Sequence, residues 1–538
     1  MAVIEKEREK KRLVLTTEHV DLYYICSFDT GKTVDTVSTI DYILNEFSRY
    51  SYPIAAIFVP LPRIKSFEEK GWKRLDTVGI WVRPYIKMPK EVPSDVYNYF
   101  KNRLLADLTI FSIEYLEKME FGRIFLGEVV IRLEDIKKEE FPEIARMRGY
   151  LELFVHKSGV FVLTLTIPVH DFRLTSTDVL KLRYILEVEG AVIELPMRVY
   201  MTWLFLKTGR RPSIEKLEKA FMKAKIWDVI EVYSTFIKYL LRKHDGVEPK
   251  SLFELESTLR NPWDINYVVL FTEVLKGERR VLELLRTYSI QIYAMLHGTR
   301  RIASREIIRR TIRKSFYYIP TQNIGELVSK PFSKINVTRV TALIAETNTH
   351  IVAISRKYLG STDIGLRLRL KHLNVLELVN HLKQLLRVFE YQFTHRRPQD
   401  LDELISLRED YSRALDLAQN NYFIIDKDMK ELFYYAIKAL EINKLMLSVE
   451  RKFESLNYII MTRYQDKINK MQLVLSVLLG IFGVPFFLFS YMHWYFDYVI
   501  TGRSTSFWPV TLTTFIPTLI ILLITLILYV KWKKEIFV

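Results

Sequence analysis

The sequence predicts a mixed α/β body, long stalk helices and two carboxy-terminal membrane-spanning helices, and three observations carry that reading. Strand-like and helix-like periodicities alternate through the first 370 residues. From Leu366 to Leu479 there is no glycine and Pro398 is the only proline, the composition of long helices with one break. Beyond that, Met471–Met492 and Ser504–Val530 contain no charged residue, whereas a membrane helix needs about 20 apolar positions. A mean hydropathy of +0.04 conceals this polarisation.

The strands expected in the amino-terminal part are Leu13–Leu15, Val20–Ile25, Pro53–Val59, Val78–Val82 and Ile124–Ile131, rich in β-branched and aromatic residues. Leu151–Val155 and Val160–Ile167 read as a hairpin closed by His156-Lys-Ser-Gly159. Helical spacing is found at Ser94–Glu120, Thr177–Glu189 and Ser213–Arg242. A second strand group follows at Ile265–Phe271, Arg339–Glu346 and His350–Ser355. The expected organisation is an α/β lobe over 1–170, a helical layer over 171–260, a second α/β lobe over 261–370, stalk helices over 371–470 and a two-helix membrane domain over 471–538.

The stalk should open with a helix over Lys371–His395, break at His395-Arg-Arg-Pro-Gln-Asp400, and resume to about Leu417. Asp428-Met-Lys-Glu431 has capping-box spacing, and nothing after it interrupts helical propensity. One helix of about 65 residues, roughly 100 Å at 1.5 Å per residue, is expected. Ile442, Met446, Val449, Phe453, Leu456 and Ile460 form an apolar seam on it. Lower down, Thr462, Gln465, Asn469, Gln472, Ser476, Gly480, Gly483, Phe487 and Ser490 repeat the same spacing on another face. Such a stripe lines a polar path in a symmetric bundle, or it is a small-residue face that packs helices together. Basic residues flank both apolar spans, at Lys467, Lys470, Lys531, Lys533 and Lys534. The positive-inside rule then puts both termini in the cytoplasm of a multi-pass plasma-membrane protein, in contact with membrane lipid. The charged amino terminus carries no signal peptide.

A large cytoplasmic α/β part, stalk helices, two terminal spans, a short loop and the basic Lys531-Trp-Lys-Lys534 tail together resemble the CorA-type divalent metal-ion transporters. The resemblance covers roughly Lys371–Val538 and implies a homopentamer, with the first span lining a channel for magnesium, cobalt or zinc and the large domain gating it. Members end the first span with Gly-Met-Asn; here the place reads Ser490-Tyr-Met-His-Trp494. Met492 falls on the family methionine at the outer mouth, while Tyr491 and His493 replace glycine and asparagine. A ring of His493 imidazoles would suit a borderline metal such as zinc, or His493 is an interfacial residue with no ligand role. No tightly bound cofactor is implied.

Other signals are weaker. Asp29-Thr-Gly-Lys-Thr33 lies in the context of a phosphate-binding loop, but Cys26 stands where that loop needs its first glycine. The net charge of +16 concentrates at Arg300, Arg301, Arg305, Arg309, Arg310, Arg313 and Lys314, and again at Arg356, Lys357, Arg367, Arg369 and Lys371. These are solvated or lipid-facing surface, or an anion site for a nucleotide. The nucleotide reading matches CorA-like proteins of type III CRISPR systems, which resemble this chain in their enlarged cytoplasmic part. It makes a nucleotide-gated effector one alternative to the metal channel; a non-conducting scaffold is the other. No aromatic-interleaved motif speaks for nucleic acid. Acidic groups at Glu134-Asp135, Glu139-Glu140 and Asp400/Asp402/Glu403 read as surface charge. The single cysteine excludes an intramolecular disulfide. No nucleophile–base motif is recognisable, and the chain is expected not to be an enzyme.

Overall fold

A computed structural model describes residues 16–75, 82–118, 121–133, 144–210, 219–274, 341–346, 349–354, 363–395, 405–409, 411–412 and 423–495. It divides into two units: Met1–Arg397 with Ile405–Lys452, and Pro398–Leu404 with Phe453–Val538.

The first unit is organised by one large sheet. Its strands are β1 (Thr16–Asp29), β2 (Ile54–Pro60), β3 (Lys73–Arg74), β4 (Val82–Lys87), β5 (Phe121–Arg132), β6 (Arg146–His156), β7 (Val160–Thr175), β8 (Ala191–Pro196), β9 (Lys219–Ala224), β10 (Ile265–Val274), β11 (Thr341–Glu346) and β12 (Thr349–Ile354). The order is β11-β12-β10-β1-β7-β6-β5-β2-β4-β3, with β8 pairing β5, and β9 pairing β8. Every pairing is antiparallel except β10 with β12. The predicted hairpin is β6–β7, with Leu153 opposite Leu163. The strand group assigned to a second lobe belongs to this same sheet, because β10 pairs with β1 from Thr17↔Val274 to Ser27↔Ile265.

Strand β1 shows why the sheet is sandwiched. Val20, Leu22, Tyr24, Cys26 and Phe28 point into the main apolar core, as alternation requires. That core also holds Ile40, Ile43 and Phe47 of α1 (Thr36–Phe47) and Val229, Tyr233 and Phe236 of α7 (Ile226–His244). The intervening positions, Asp21, Tyr23 and Ser27, are buried too, on the other face. There lie α3 (Ser94–Ile110) and α9 (Asp363–His395). The remaining helices are α2 (Ile64–Glu69), α4 (Ile113–Glu117), α5 (Ser176–Tyr184), α6 (Met197–Thr208), α8 (Leu252–Ser257), α10 (Lys427–Ala439) and α11 (Ile442–Trp494).

Several expectations are corrected. Helix Ser94–Glu120 breaks at Phe111, whose backbone is extended, and Ser112 caps the short α4. Within Ser213–Arg242 the chain first makes β9 and only then α7, the strand being recruited by its ladder to β8. The stalk helix expected from Asp428 is interrupted, since Glu441 adopts a φ of 55°, a left-handed conformation that ends α10 before α11 starts. Helix α9 is no free stalk; it packs on α3, α10 and strands β1 and β7.

The membrane anchor is also corrected. Among the described residues no helix is long and apolar enough to cross a membrane. The fold is a largely antiparallel sheet with helices, and the two spans, the channel built on them and the multi-pass plasma-membrane placement are not supported. The first expected span is instead the continuation of α11, one continuous helix in which Arg463, Asp466, Lys467 and Lys470 precede the uncharged residues. The second predicted span, Ser504–Val530, lies outside the described residues.

Candidate functional site

The sheet face beneath α9 is polar. On α9, Asn374, Glu377, His381 and Gln384 recur at three- and four-residue steps and are all buried, so they form one stripe. Opposite them the strands present Arg123, Glu152, His156 and Thr164, and α3 presents Tyr99, Arg103 and Asp107, all likewise buried. Arg123 donates to Glu377 Oε2 at 2.7 Å and through Nη2 to Asp107 Oδ1 at 3.0 Å. Arg103 donates to the other Glu377 oxygen and lies 3.5 Å from Glu152. Thr164 donates to Glu377 at 2.6 Å, and Tyr99 to Glu152 at 3.1 Å. Two guanidiniums thus face three carboxylates. Burial acts to raise Glu377, but Arg103 and Arg123 outweigh it and hold its pKa below the usual range. Burial pushes Asp107 and Glu152 up. Such a network fixes one packing arrangement.

Next to it sit two buried imidazoles, His156 and His381, with ring centroids 4.4 Å apart. His381 Nδ1 donates to the Val160 carbonyl at 3.1 Å, and His156 Nδ1 accepts from the Ser158 backbone N–H at 3.1 Å. The rings therefore carry opposite tautomers. Burial lowers both pKa values, His381 to about 3.

A third group opens toward solvent. His170 is bonded to the buried carboxylate of Asp21, which Arg369 Nε also meets at 2.8 Å. Burial acts to raise Asp21, but Arg369 and His170 outweigh it and bring its pKa to about 2. Burial acts to lower His170, and Asp21 more than offsets it, so the imidazole pKa is raised. The neighbouring Asp171 has a φ of 66°, beside a register shift in β1 between Thr17 and His19. Bulges with a left-handed residue re-aim side chains, and here His170 is turned onto Asp21.

A cavity of about 990 Å³ lies elsewhere in the first unit, between the loop after α1, strands β5 and β8, and α6. Tyr50, Glu128 and Arg198 are among the residues that line it.

The sequence-predicted sites fall as follows. Thr462, Gln465, Asn469, Gln472, Ser476, Gly480, Gly483, Phe487 and Ser490 all lie on α11 and are exposed; Met492 and His493 are half-buried near its end. Gln465 donates to Asn469 at 3.3 Å, which ties two stripe residues together. Arg300, Arg301, Arg305, Arg309, Arg310, Arg313 and Lys314 lie outside the described residues, as do Arg356, Lys357 and the acidic groups Glu134-Asp135, Glu139-Glu140 and Asp400/Asp402/Glu403. The described remainder of the second basic group is spent internally. Arg369 meets Asp21, Arg367 donates to Asn102 at 2.9 Å, and Lys371 donates to Asp426 at 2.8 Å. The Asp29–Thr33 turn is structural as well. Asp29 accepts from Arg260, and Arg242 Nη2 donates to the Thr30 carbonyl at 2.8 Å. Cys26 is buried, and burial raises its thiol pKa. Among the described residues no group of three His, Cys, Asp or Glu is placed to hold a metal.

Sequence reading missed the buried network, although its signal was present. A helix with Asn, Glu, His and Gln at heptad steps between leucines and valines has a polar seam, and this one faces inward. No family model, curated protein or solved structure matches the chain.

Proposed function

We propose that the chain is a non-enzymatic assembly protein that associates with copies of itself through α11, the α/β unit serving as its folded head. One observation carries the reading. In the second unit α11 leaves large apolar side chains in the open, among them Tyr458, Met471, Leu473, Leu475, Leu479 and Phe487. Leu473, Leu475, Val477, Leu478 and Leu479 are all exposed, and at 100° per residue they surround the helix. A patch of this kind marks an interaction surface, and a single stripe-like partner would cover only part of it. Several helices around a common axis cover all sides, and copies of the same chain supply them by symmetry.

In such an assembly the Gln465, Asn469, Gln472, Ser476, Gly480 and Gly483 face turns to the axis. Among the described residues, a Cβ added at Gly480 or Gly483 would meet nothing within 4 Å, so the described contacts do not require glycine there. Close approach of neighbouring helices does.

Sedimentation velocity on the full chain tests this. A discrete species larger than a dimer is expected, falling to monomer in the double variant Leu475→Glu/Leu479→Glu while the near-ultraviolet spectrum of the head is unchanged. A monomeric parent chain, or an oligomer indifferent to that variant, would refute the proposal.

A further inference from the structure

The cavity in the first unit has features of a ligand site that no part of the fold explains. Its volume, about 990 Å³, is at the upper end of the range for small-molecule sites. Two buried polar atoms of its lining, Tyr50 Oη and Glu128 Oε1, have no hydrogen-bond partner. Buried groups of this kind are nearly always satisfied. The only ion pair of Glu128 among the described residues is a loose one, 3.9 Å to Arg148.

Glu128 is mostly covered, with a side chain 22% exposed, whereas Arg49 and Lys219 on the same wall are 60% and 63% exposed. These cations are not used up by their partners. Arg49 and Arg198 share the single carboxylate of Glu46. Lys219 and Arg132 share that of Glu194. A covered acceptor and a hydroxyl therefore lie in the lining together with Arg49, Arg198 and Lys219, and with the carboxylates of Glu194 and Glu248. Between them the lining is apolar and aromatic, with Met197, Met201 and Phe205.

We infer that this cavity binds a guanine nucleotide, with the base inside and the phosphates at Arg49, Arg198 and Lys219. The base is assigned by donor pattern. A carboxylate only accepts hydrogen bonds, and the guanine edge offers two adjacent N–H donors beside a carbonyl that accepts from a tyrosine hydroxyl. The adenine edge would set a ring-nitrogen lone pair against Glu128. Met and aromatic side chains suit the faces of a flat ring, and arginine suits phosphate.

Calorimetric titration of the full chain with GDP, guanosine, AMP and inorganic phosphate tests the assignment. GDP should bind one per chain, at least tenfold tighter than guanosine or AMP, and phosphate alone should bind weakly. Glu128→Gln should weaken GDP at least tenfold and Tyr50→Phe about fivefold. Arg198→Met should narrow the gap between GDP and guanosine. Tyr50→Phe removes a hydroxyl with no partner in the chain, so the unliganded variant should melt at or above the parent temperature and report on binding alone. Absence of GDP binding at millimolar concentration, equal binding of AMP, or unchanged affinity in both Tyr50→Phe and Glu128→Gln would overturn the inference.

Discussion

Helices α9 and α11 invert each other's rule. Helix α9 buries a stripe of asparagine, glutamate, histidine and glutamine, while α11 exposes leucine, phenylalanine and tyrosine. In α9 Asn374, Glu377 and His381 are bonded to the sheet or to α3, so these partners are in the same chain. In α11, beyond the seam ending at Ile460, the described residues do not cover the apolar positions. The contrast separates two ways a long helix departs from simple amphipathicity. A polar residue inside calls for an internal network, and an apolar residue outside calls for an external partner.

The sharpest way to break the α9 side is to remove its central carboxylate. Glu377→Leu leaves Arg103 without its closest carboxylate and strips Arg123 of one of two. A loss of about 3–5 kcal/mol in chemical denaturation is expected; Glu377→Gln, which keeps the Thr164 bond through its carbonyl, should lose less. Equal stability of parent and Glu377→Leu would show that the network is dispensable.

Gly31→Ala should be next in size. Its φ is +89°, and an added Cβ would lie 1.7 Å from Arg242 Nη2 and 2.5 Å from the Thr258 carbonyl oxygen. About 2–3 kcal/mol should be lost, and an unchanged melting temperature would contradict the packing around the Asp29–Thr33 turn.

Acid and base should act on different imidazoles. His156 and His381 have lowered pKa values in the fold. Below about pH 6.5 the unfolded chain takes up protons that the folded chain refuses, so their stabilisation, complete above 6.5, is lost as pH falls toward the folded pKa. Each contributes at most about 1.4 kcal/mol per pH unit. His170 has the opposite sign. Its raised pKa gives stability that is complete below about 6.5 and lost as pH rises through the folded value. Stability should therefore be greatest near neutrality. His381→Gln should flatten the acid limb and leave the alkaline limb alone; His170→Gln should do the reverse. The same response in both variants would refute the assignment.

The smallest stability effect belongs to α11. Leu475→Glu/Leu479→Glu should alter the unfolding of the head by no more than about 0.5 kcal/mol, while the proposed assembly should be lost. A large loss of head stability would mean that this segment packs within its own chain.

Much of the sheet was legible. Strands β1, β2, β5, β10 and the β6–β7 hairpin follow from β-branched and aromatic runs bounded by turn residues, and of the predicted seam Ile442, Met446, Val449, Leu456 and Ile460 are buried while Phe453 is half-buried. Strand β9 was not legible, because Lys219–Ala224 has helical propensity and becomes a strand only by pairing with β8. The union of β10–β12 with β1 is a long-range pairing that no local pattern encodes. The membrane reading rested on uncharged runs, and an uncharged run does not by itself distinguish hydrocarbon from other surroundings. The cavity was not legible either, since Tyr50, Glu128 and Arg198 come together only through the fold. By contrast, spacing alone set Gln465, Asn469 and Gln472 in one stripe of a helix, and all three lie on α11.

That stripe offers the most direct measurement. Cys26 is the chain's only cysteine and is buried, so cysteines placed on α11 can be cross-linked without background. Mild oxidation of Asn469→Cys and Gln472→Cys should give disulfide-linked dimers in high yield, while Lys467→Cys, on the opposite side of the helix, should give few. Equal yields on the two sides, or none at Asn469 and Gln472, would contradict assembly through this face.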